Sequence, residues 1–196
     1  NCYLLTQTKV KLLDESLKKT SCNVDVKPQV TIDPIKATTS DAADGQDTIF
    51  GQIYDQMHKN AHNTFRNEKQ TWTATYIGMH SEDQGGPYRD SVTQLCSDLC
   101  STRLPLFILC PNGRTNRGLN GDCWIPNVFP PDEPIPEQVS KQYRFVGQLM
   151  GMAIRKKHYL DLTLPPLLWK QLLKEPITIE DIQMIDVQCL GIINEM

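Results

Sequence analysis

Hydrophobic residues recur at helical spacing in several parts of the chain. The clearest pattern follows Pro136, which suits a first helical turn, and extends to Lys157. A second pattern covers residues 3–20. Shorter helices are predicted after the capping candidates Asp47 or Thr48, after Pro87, after Thr163 and after Thr178. The predicted buried face of the long helix comprises Val139, Tyr143, Val146, Met150 and Ile154, and we expect Trp169 or Leu172 nearby.

Alternating or continuous apolar residues predict short strands. Residues 26–36 alternate Val30, Ile32 and Ile35 with polar residues, and Pro28 and Pro34 make this an edge strand. Residues 71–79 form a second strand by composition. Residues 104–109 and 123–125 predict a β-hairpin whose long tip is bracketed by the turn signals Asn112-Gly113 and Asn120-Gly121.

The segments between these elements are polar or rich in proline. Residues 36–48 hold no large apolar residue and predict a solvated loop, and residues 81–86 predict a turn. Residues 126–136 contain five prolines and predict an extended connector. The fold class is therefore α+β and predominantly helical, with a small β-hairpin and edge strands.

Composition narrows the functional classes. A chain of 196 residues suits one domain or slightly more. The net charge of −3 argues against nucleic-acid binding, which needs a basic face. The longest nearly apolar run, Val146–Ile154, is too short for a transmembrane segment. The chain starts Asn-Cys-Tyr without a signal peptide, so we expect a processed start or a piece of a longer protein.

Seven cysteines, an odd number, and no Asn-x-Ser/Thr acceptor favour free thiols in a reducing, cytoplasmic compartment. Zinc is disfavoured because no pair of cysteines has the two-residue spacing of a zinc knuckle. His58 and His62 have the spacing of a zinc-protease helix, but Lys59 stands where its glutamate would be. The cysteines weighed as zinc ligands are Cys96, Cys100, Cys110 and Cys123.

Two features of the long helix suggest packing and solvation instead of a site. Gly147 and Gly151 cost helical stability, so we expect another helix to approach this face closely. The basic run 155–158 ends the helix, where cations complement its dipole, and we expect it to be solvated, with binding of a partner as the alternative. The residues alone thus indicate no self-evident active site.

Several segments, in order, resemble the HECT domain. Around residue 72 a Trp-led strand leads into an acidic turn, a double glycine and an Arg-acid pair that opens a helix. Residues 143–154 resemble the family's Phe-x-Gly-x-x-x-Gly-x-Ala helix, and residues 160–186 continue the match. Segments 111–114, 120–124 and 169–172 most resemble the giant HERC-type ligases. The motif residues are Trp72, Gly85, Gly86, Arg89, Asp90, Phe145, Gly147, Gly151, Trp169, Asp181 and Asp186.

The resemblance implies a role in ubiquitin transfer. HECT ligases accept ubiquitin from an E2 conjugating enzyme as a thioester on a C-lobe cysteine and pass it to a substrate lysine. Residues 1–47 would be an N-terminal helix, edge strand and polar loop leading into the lobe. Residues 48–196 would be the large subdomain of the N-lobe, truncated before the E2-docking subdomain and the C-lobe. The acceptor cysteine is therefore expected after Met196, and no cofactor is expected.

Some HECT domains bind a second ubiquitin partly through aromatic residues just before the strand equivalent to Leu106-Phe107. Residues 102–105 of this chain contain no aromatic residue, which argues against that surface here. Two other classes stay open from the residues alone. One is a stand-alone protein-interaction module without catalysis, and the other is an independent cysteine enzyme that pairs a thiol with one of the four histidines.

Overall fold

The computed structural model describes residues 5–24, 26–40, 44–60, 62–79 and 85–195, with side chains up to Ile192. Helices dominate these residues, and two small sheets accompany them. The helices are α1 Thr6–Lys19, α2 Pro34–Thr39, α3 Ile49–Met57, α4 His62–Phe65, α5 Gly86–Leu99, α6 Pro111–Thr115, α7 Glu137–Lys156, α8 Pro166–Leu173, α9 Ile179–Gln183 and α10 Val187–Glu195. The strands are β1 Gln29–Ile32, β2 Thr73–Tyr76, β3 Phe107–Leu109 and β4 Trp124–Pro126.

Strands β1 and β2 form a parallel pair in which Gln29 lies opposite Thr73 and Ile32 opposite Tyr76. Val30 and Ile32 are buried where α3 packs on β1, and α5 packs on both α3 and β2. The Thr48 hydroxyl accepts a hydrogen bond from Gly51 N at 3.0 Å, which confirms Thr48 as the cap of α3. Strand β1, which precedes residue 48, therefore contributes Val30 and Ile32 to the main core.

Helix α7 closes that core with an aromatic cluster. The Phe145 ring makes edge-to-face contacts with Phe50, Tyr54 and Phe65, at ring-centroid distances of 5.4–5.9 Å. Such edge-to-face geometry is favoured by the aromatic quadrupole. Leu149 and Met152 continue the buried stripe toward the C-terminal end of the helix.

The predicted face of α7 was wrong in phase. Val139 and Val146 are buried, but Tyr143 and Met150 are only partly buried and Ile154 is 55% exposed. The buried residues centre about a quarter turn away from the predicted stripe, given 3.6 residues per turn. A helix with apolar residues on more than one side does not fix its own orientation. The observed buried face comprises Val139, Gln142, Phe145, Val146, Leu149, Met152 and Ala153.

The hairpin is present, with a different tip. Strands β3 and β4 pair antiparallel, with Leu109 opposite Trp124. The turn predicted at Asn112-Gly113 is wrong, because these residues lie inside α6, which Pro111 opens. Asn116 and Asn120 adopt the left-handed backbone instead, with φ of 51° and 53°. A second small core forms here from Cys110, Cys123 and Ile185.

Three further boundaries differ from expectation. The first strand ends at Ile32, and Asp33 caps α2 by accepting from Lys36 N at 3.0 Å, so Ile35 is helical and exposed. The predicted loop at 36–48 therefore begins as helix; residues 41–43 and the turn at 81–84 lie outside the described residues. Thr163 does not cap α8, whose preceding residue is Pro165. No helix in the described ranges is long and apolar enough to cross a bilayer.

Candidate functional site

The motif residues at the start of α5 form a buried joint with β2. Trp72 is fully buried and donates from Nε1 to Ser91 Oγ at 3.1 Å, while its ring meets Tyr88 at 4.9 Å. The Tyr76 hydroxyl donates to Asp90 Oδ2 at 2.5 Å. Burial, together with this hydrogen bond, raises the pKa of Tyr76 well above its usual value. The phenol therefore stays protonated, and the joint is structural.

The double glycine enters α5 as a tight turn. Gly85 has φ of 102°, a backbone conformation that favours glycine, and Gly86 starts the helix. Arg89, one helical turn further on, is exposed. The motif thus fixes where α5 begins and leaves a cation on the surface.

The glycines of α7 do not pack as expected. A Cβ at Gly147 or Gly151 would meet no described atom within 4 Å apart from the neighbouring backbone of α7 itself. The prediction that another helix crosses this face closely is therefore wrong for the described residues. Phe145 of the same motif lies on the other side of the helix, in the aromatic cluster.

The last motif residues stabilise the α8–α10 region. Lys170 Nζ lies 2.7 Å from both carboxylate oxygens of Asp181, which also accepts from Thr178 N at 2.9 Å. This ion pair and the Thr178 hydrogen bonds lower the pKa of Asp181. The Asp181 contact to the residue before α9 confirms the predicted capping role. Asp186 Oδ1 accepts from Cys189 N at 3.0 Å in the first turn of α10.

Asn112 is a buried residue that links α6 to the last helices. Its Oδ1 accepts from Val187 N at 2.8 Å, and its Nδ2 donates to Leu119 O at 2.9 Å and Met184 O at 3.2 Å. Its backbone N–H donates to Ile185 O at 2.9 Å. The sequence analysis missed this role because Asn-Gly is typical of turns. Its only sequence signal was the preceding proline, which also suits a helix start.

The basic end of α7 is engaged, which corrects the prediction of a solvated end. Arg155 donates to Leu17 O at 2.9 Å and to Thr20 Oγ1 at 2.7 Å, at the C-terminal end of α1. Lys156 Nζ donates to Lys69 O and, at 2.8 Å, to Thr71 Oγ1. Burial lowers the pKa of Lys156 to about 8.

The next cation continues the same attachment. Lys157 Nζ lies 3.0 Å from Asp14 Oδ2, so a second contact joins α7 to α1. No side chain of α1 is buried. Polar contacts from Arg155 and Lys157 therefore attach α1 to the end of α7.

Three of the described thiols are poorly suited to act as nucleophiles. Cys22, Cys96, Cys100, Cys110, Cys123 and Cys189 are free, and Cys2 lies outside the described residues. Burial raises the pKa of Cys96 to about 12 and also raises the pKa of Cys100 and Cys123. These three thiols are therefore protonated near neutral pH, whereas the thiolate is the nucleophile.

His58 and His62 each contact another side chain. His58 stacks on Tyr54 at 4.7 Å between ring centroids, and His62 Nδ1 lies 3.0 Å from Gln148 Nε2. Within the described ranges, no cluster of three or more histidine, cysteine or acidic side chains could hold a metal ion.

Comparison with known proteins decides the family. The family model described as HECT-domain (ubiquitin-transferase) matches residues 93–196, more than half of the chain. The chain belongs to the HECT family. Its match begins inside α5 and continues through the hairpin, α7 and the last helices. The family is the one that the sequence motifs resembled, and its α+β fold agrees with the helices and small sheets described here.

Relatives of this HECT chain carry ligase names. E3 ubiquitin-protein ligase HERC2 from Mus musculus and its Homo sapiens counterpart are each 34% identical over 143 residues. That alignment covers 73% of this chain and 3% of either relative. Probable E3 ubiquitin-protein ligase HECTD4 from Homo sapiens is 26% identical over 168 residues, 82% of this chain and 4% of the relative. The predicted similarity to HERC-type HECT proteins is confirmed, and the chain spans a small fraction of its curated relatives.

Proposed function

We propose that this chain is the large subdomain of a HECT N-lobe and serves as a scaffold in an E3 ubiquitin-protein ligase. The observation that carries the proposal is its membership of the HECT family over residues 93–196. The motif residues support it, because Trp72 and Phe145 are buried in the core and Asp181 caps a helix. Residues 48–196 would form the lobe, with residues 1–47 leading into it and supplying β1.

In this proposal the chemistry belongs to the parent protein. The parent would accept ubiquitin from an E2 as a thioester on a cysteine C-terminal to Met196 and pass it to substrate lysines. The raised pKa values of Cys96, Cys100 and Cys123 support a scaffold role for the chain itself. The free thiols support a cytoplasmic location, and the acidic net charge supports protein partners over nucleic acid.

The test measures whether ubiquitin becomes covalently attached to the protein. The 196-residue chain and a longer protein that continues past Met196 are each incubated with activating enzyme, E2, ATP and ubiquitin. We expect a thiol-sensitive adduct on non-reducing gels for the longer protein and none for the chain. A matched longer protein, in which serine replaces all seven cysteines of residues 1–196 and the wild-type circular dichroism is kept, should still form the adduct.

Two outcomes would contradict the proposal. A reducible adduct mapped by mass spectrometry to any cysteine of the chain would make the chain itself catalytic. A longer protein that folds but forms no adduct with any of several E2 enzymes would favour the interaction module without catalysis.

A further inference from the structure

An apolar groove runs between α1, the end of α7, the segment 158–162 and α8. Its volume is about 490 Å³. Most of its lining is aliphatic or aromatic, which is typical of sites that bind an apolar group. The main lining residues are Val10, Leu13, Met150, Ile154, Leu160 and Trp169.

Large side chains at this groove are exposed to solvent. Tyr159 is 99% exposed and Trp169 is 43% exposed, and Ile154 lies between α1 and α8 on the same surface. Tyrosine, tryptophan and methionine are enriched where proteins bind one another, whereas isolated exposed side chains are common elsewhere. The concentration of these residues in one groove favours an interface.

A cationic cleft adjoins the groove and shares Lys157, His158 and Tyr159 with it. The cleft has a volume of about 310 Å³ and is otherwise lined by Arg89, Val92 and Thr93, so none of its lining residues in the described part of the chain is a carboxylate. The groove beside it includes one carboxylate, that of Asp14. Arg89 is exposed at the motif start of α5, while Lys157 is paired with Asp14. Burial and the nearby charges of Lys156 and Arg89 lower the pKa of His158, as expected in a positive environment.

We propose that the groove and cleft together bind a short acidic, amphipathic segment of a partner protein. Two or three large apolar side chains of the segment lie in the groove beside Trp169 and Ile154. A carboxylate that follows them lies near Arg89. The charge complementarity between this cleft and an acidic group selects the partner, because a basic group placed beside Arg89 would meet a like charge. This surface is independent of the ubiquitin chemistry proposed above.

The test uses a fluorescein-labelled, twelve-residue peptide of Leu, Phe, Asp and Glu, and a matched peptide in which Lys replaces every acidic residue. Fluorescence anisotropy is measured with the 196-residue chain and with the longer protein. We expect the acidic peptide to bind both proteins at least about tenfold more tightly than the basic peptide, with affinity falling as salt rises.

Two variants assign the site. Arg89→Glu and Tyr159→Ala should each weaken acidic-peptide binding by about tenfold or more, while keeping the wild-type circular dichroism, because both side chains are exposed. Arg114→Glu on α6 and Val128→Ala in the proline-rich connector are matched exposed controls and should change binding less than about twofold.

The proposal is overturned by equal binding of the two peptides, by no binding, or by equal effects of site and control variants. Binding to the isolated chain but not to the longer protein would show that later parts of the protein cover the groove, and would also overturn it. A concentration-dependent dimer that Tyr159→Ala abolishes would assign the surface to a second copy instead.

Discussion

At the scale of single residues, one buried amide joins the hairpin to the last helices. Asn112 is almost fully buried, and its side chain accepts a hydrogen bond from Val187 N and donates to Leu119 O and Met184 O. Removing such a side chain leaves buried backbone groups without partners, which costs about 1–3 kcal/mol for each group.

We therefore predict that Asn112→Ala lowers the free energy of unfolding by about 2–4 kcal/mol. Urea denaturation followed by circular dichroism measures the loss. Arg114→Ala, an exposed change in the same helix, should stay within about 0.5 kcal/mol of wild type. A neutral Asn112→Ala would mean that α9 and α10 do not depend on the hairpin.

A second residue-scale prediction concerns Lys156 and pH. Its pKa is lowered to about 8 by burial, whereas the pKa of an unfolded lysine is about 10.4. Below about pH 8 both states carry the proton and the folded state bears the full cost of burying the charge. As pH rises from about 8 to about 10.4, the folded state releases the Lys156 proton before the unfolded state does. The unfolded state then binds more protons, so Lys156 adds stability with rising pH.

The comparison is with Lys156→Met, which removes this contribution. Urea midpoints are measured for both proteins from pH 7 to pH 10. The stability of wild type relative to the variant should increase with pH in that range. The raised pKa of Cys96 acts in the opposite direction but equally in both proteins, so it cancels from the difference. A difference that stays flat or falls would show that Lys156 is not desolvated.

At the scale of elements, the uncovered face of α7 allows us to predict how glycine-to-alanine substitutions change stability. Because a Cβ at Gly147 or Gly151 meets no described atom within 4 Å apart from the neighbouring backbone of α7 itself, alanine should stabilise the helix by about 0.5–1 kcal/mol at each position. Gly51 in α3 is the matched helical control, since its Cβ would lie 2.3 Å from Gln46 O and 2.4 Å from Gly45 O. Thermal unfolding should therefore shift upward for Gly147→Ala and Gly151→Ala and downward for Gly51→Ala. Destabilisation by either α7 variant would indicate that another element packs on that face.

The elements also show what the sequence could and could not predict. The caps at Thr48 and Thr178, the start of α5 and the hairpin pairing depend on local backbone chemistry, and all were predicted. The buried face of α7 was not, because apolar residues lie on two sides of it and only the neighbouring elements choose between them. Ile154 is exposed for that reason. Family motifs were recognisable, but the contacts of Asn112 and Arg155 join residues far apart in the chain, and no local pattern specifies them.

At the scale of the whole molecule, buried and exposed apolar residues are unevenly distributed. The main core gathers β1, β2, α3, α5 and α7, whereas no side chain of α8 or α9 is buried. Leu168 and Leu167 of α8 are partly buried against the main core and the second small core, and the Lys170–Asp181 ion pair joins α8 to α9. The exposed large side chains of this last part, among the described residues, are Trp169, Leu172, Leu173, Ile177, Ile179, Met184 and Ile192.

Exposed apolar area on this scale favours association, because burying one large side chain contributes about 1.5–3 kcal/mol. We predict that the 196-residue chain self-associates at about 100 µM, a concentration at which even weak apolar contacts between copies are populated. Light scattering should show a mass that rises with concentration. Leu173→Lys combined with Ile192→Lys should return the chain to a monomer, since both changes place charges on the exposed part of α8 and α10. Ile35→Lys, an equally exposed change on α2, should leave association unchanged. A monodisperse monomer at every concentration would contradict the prediction and show that the chain tolerates this exposed apolar surface without self-association.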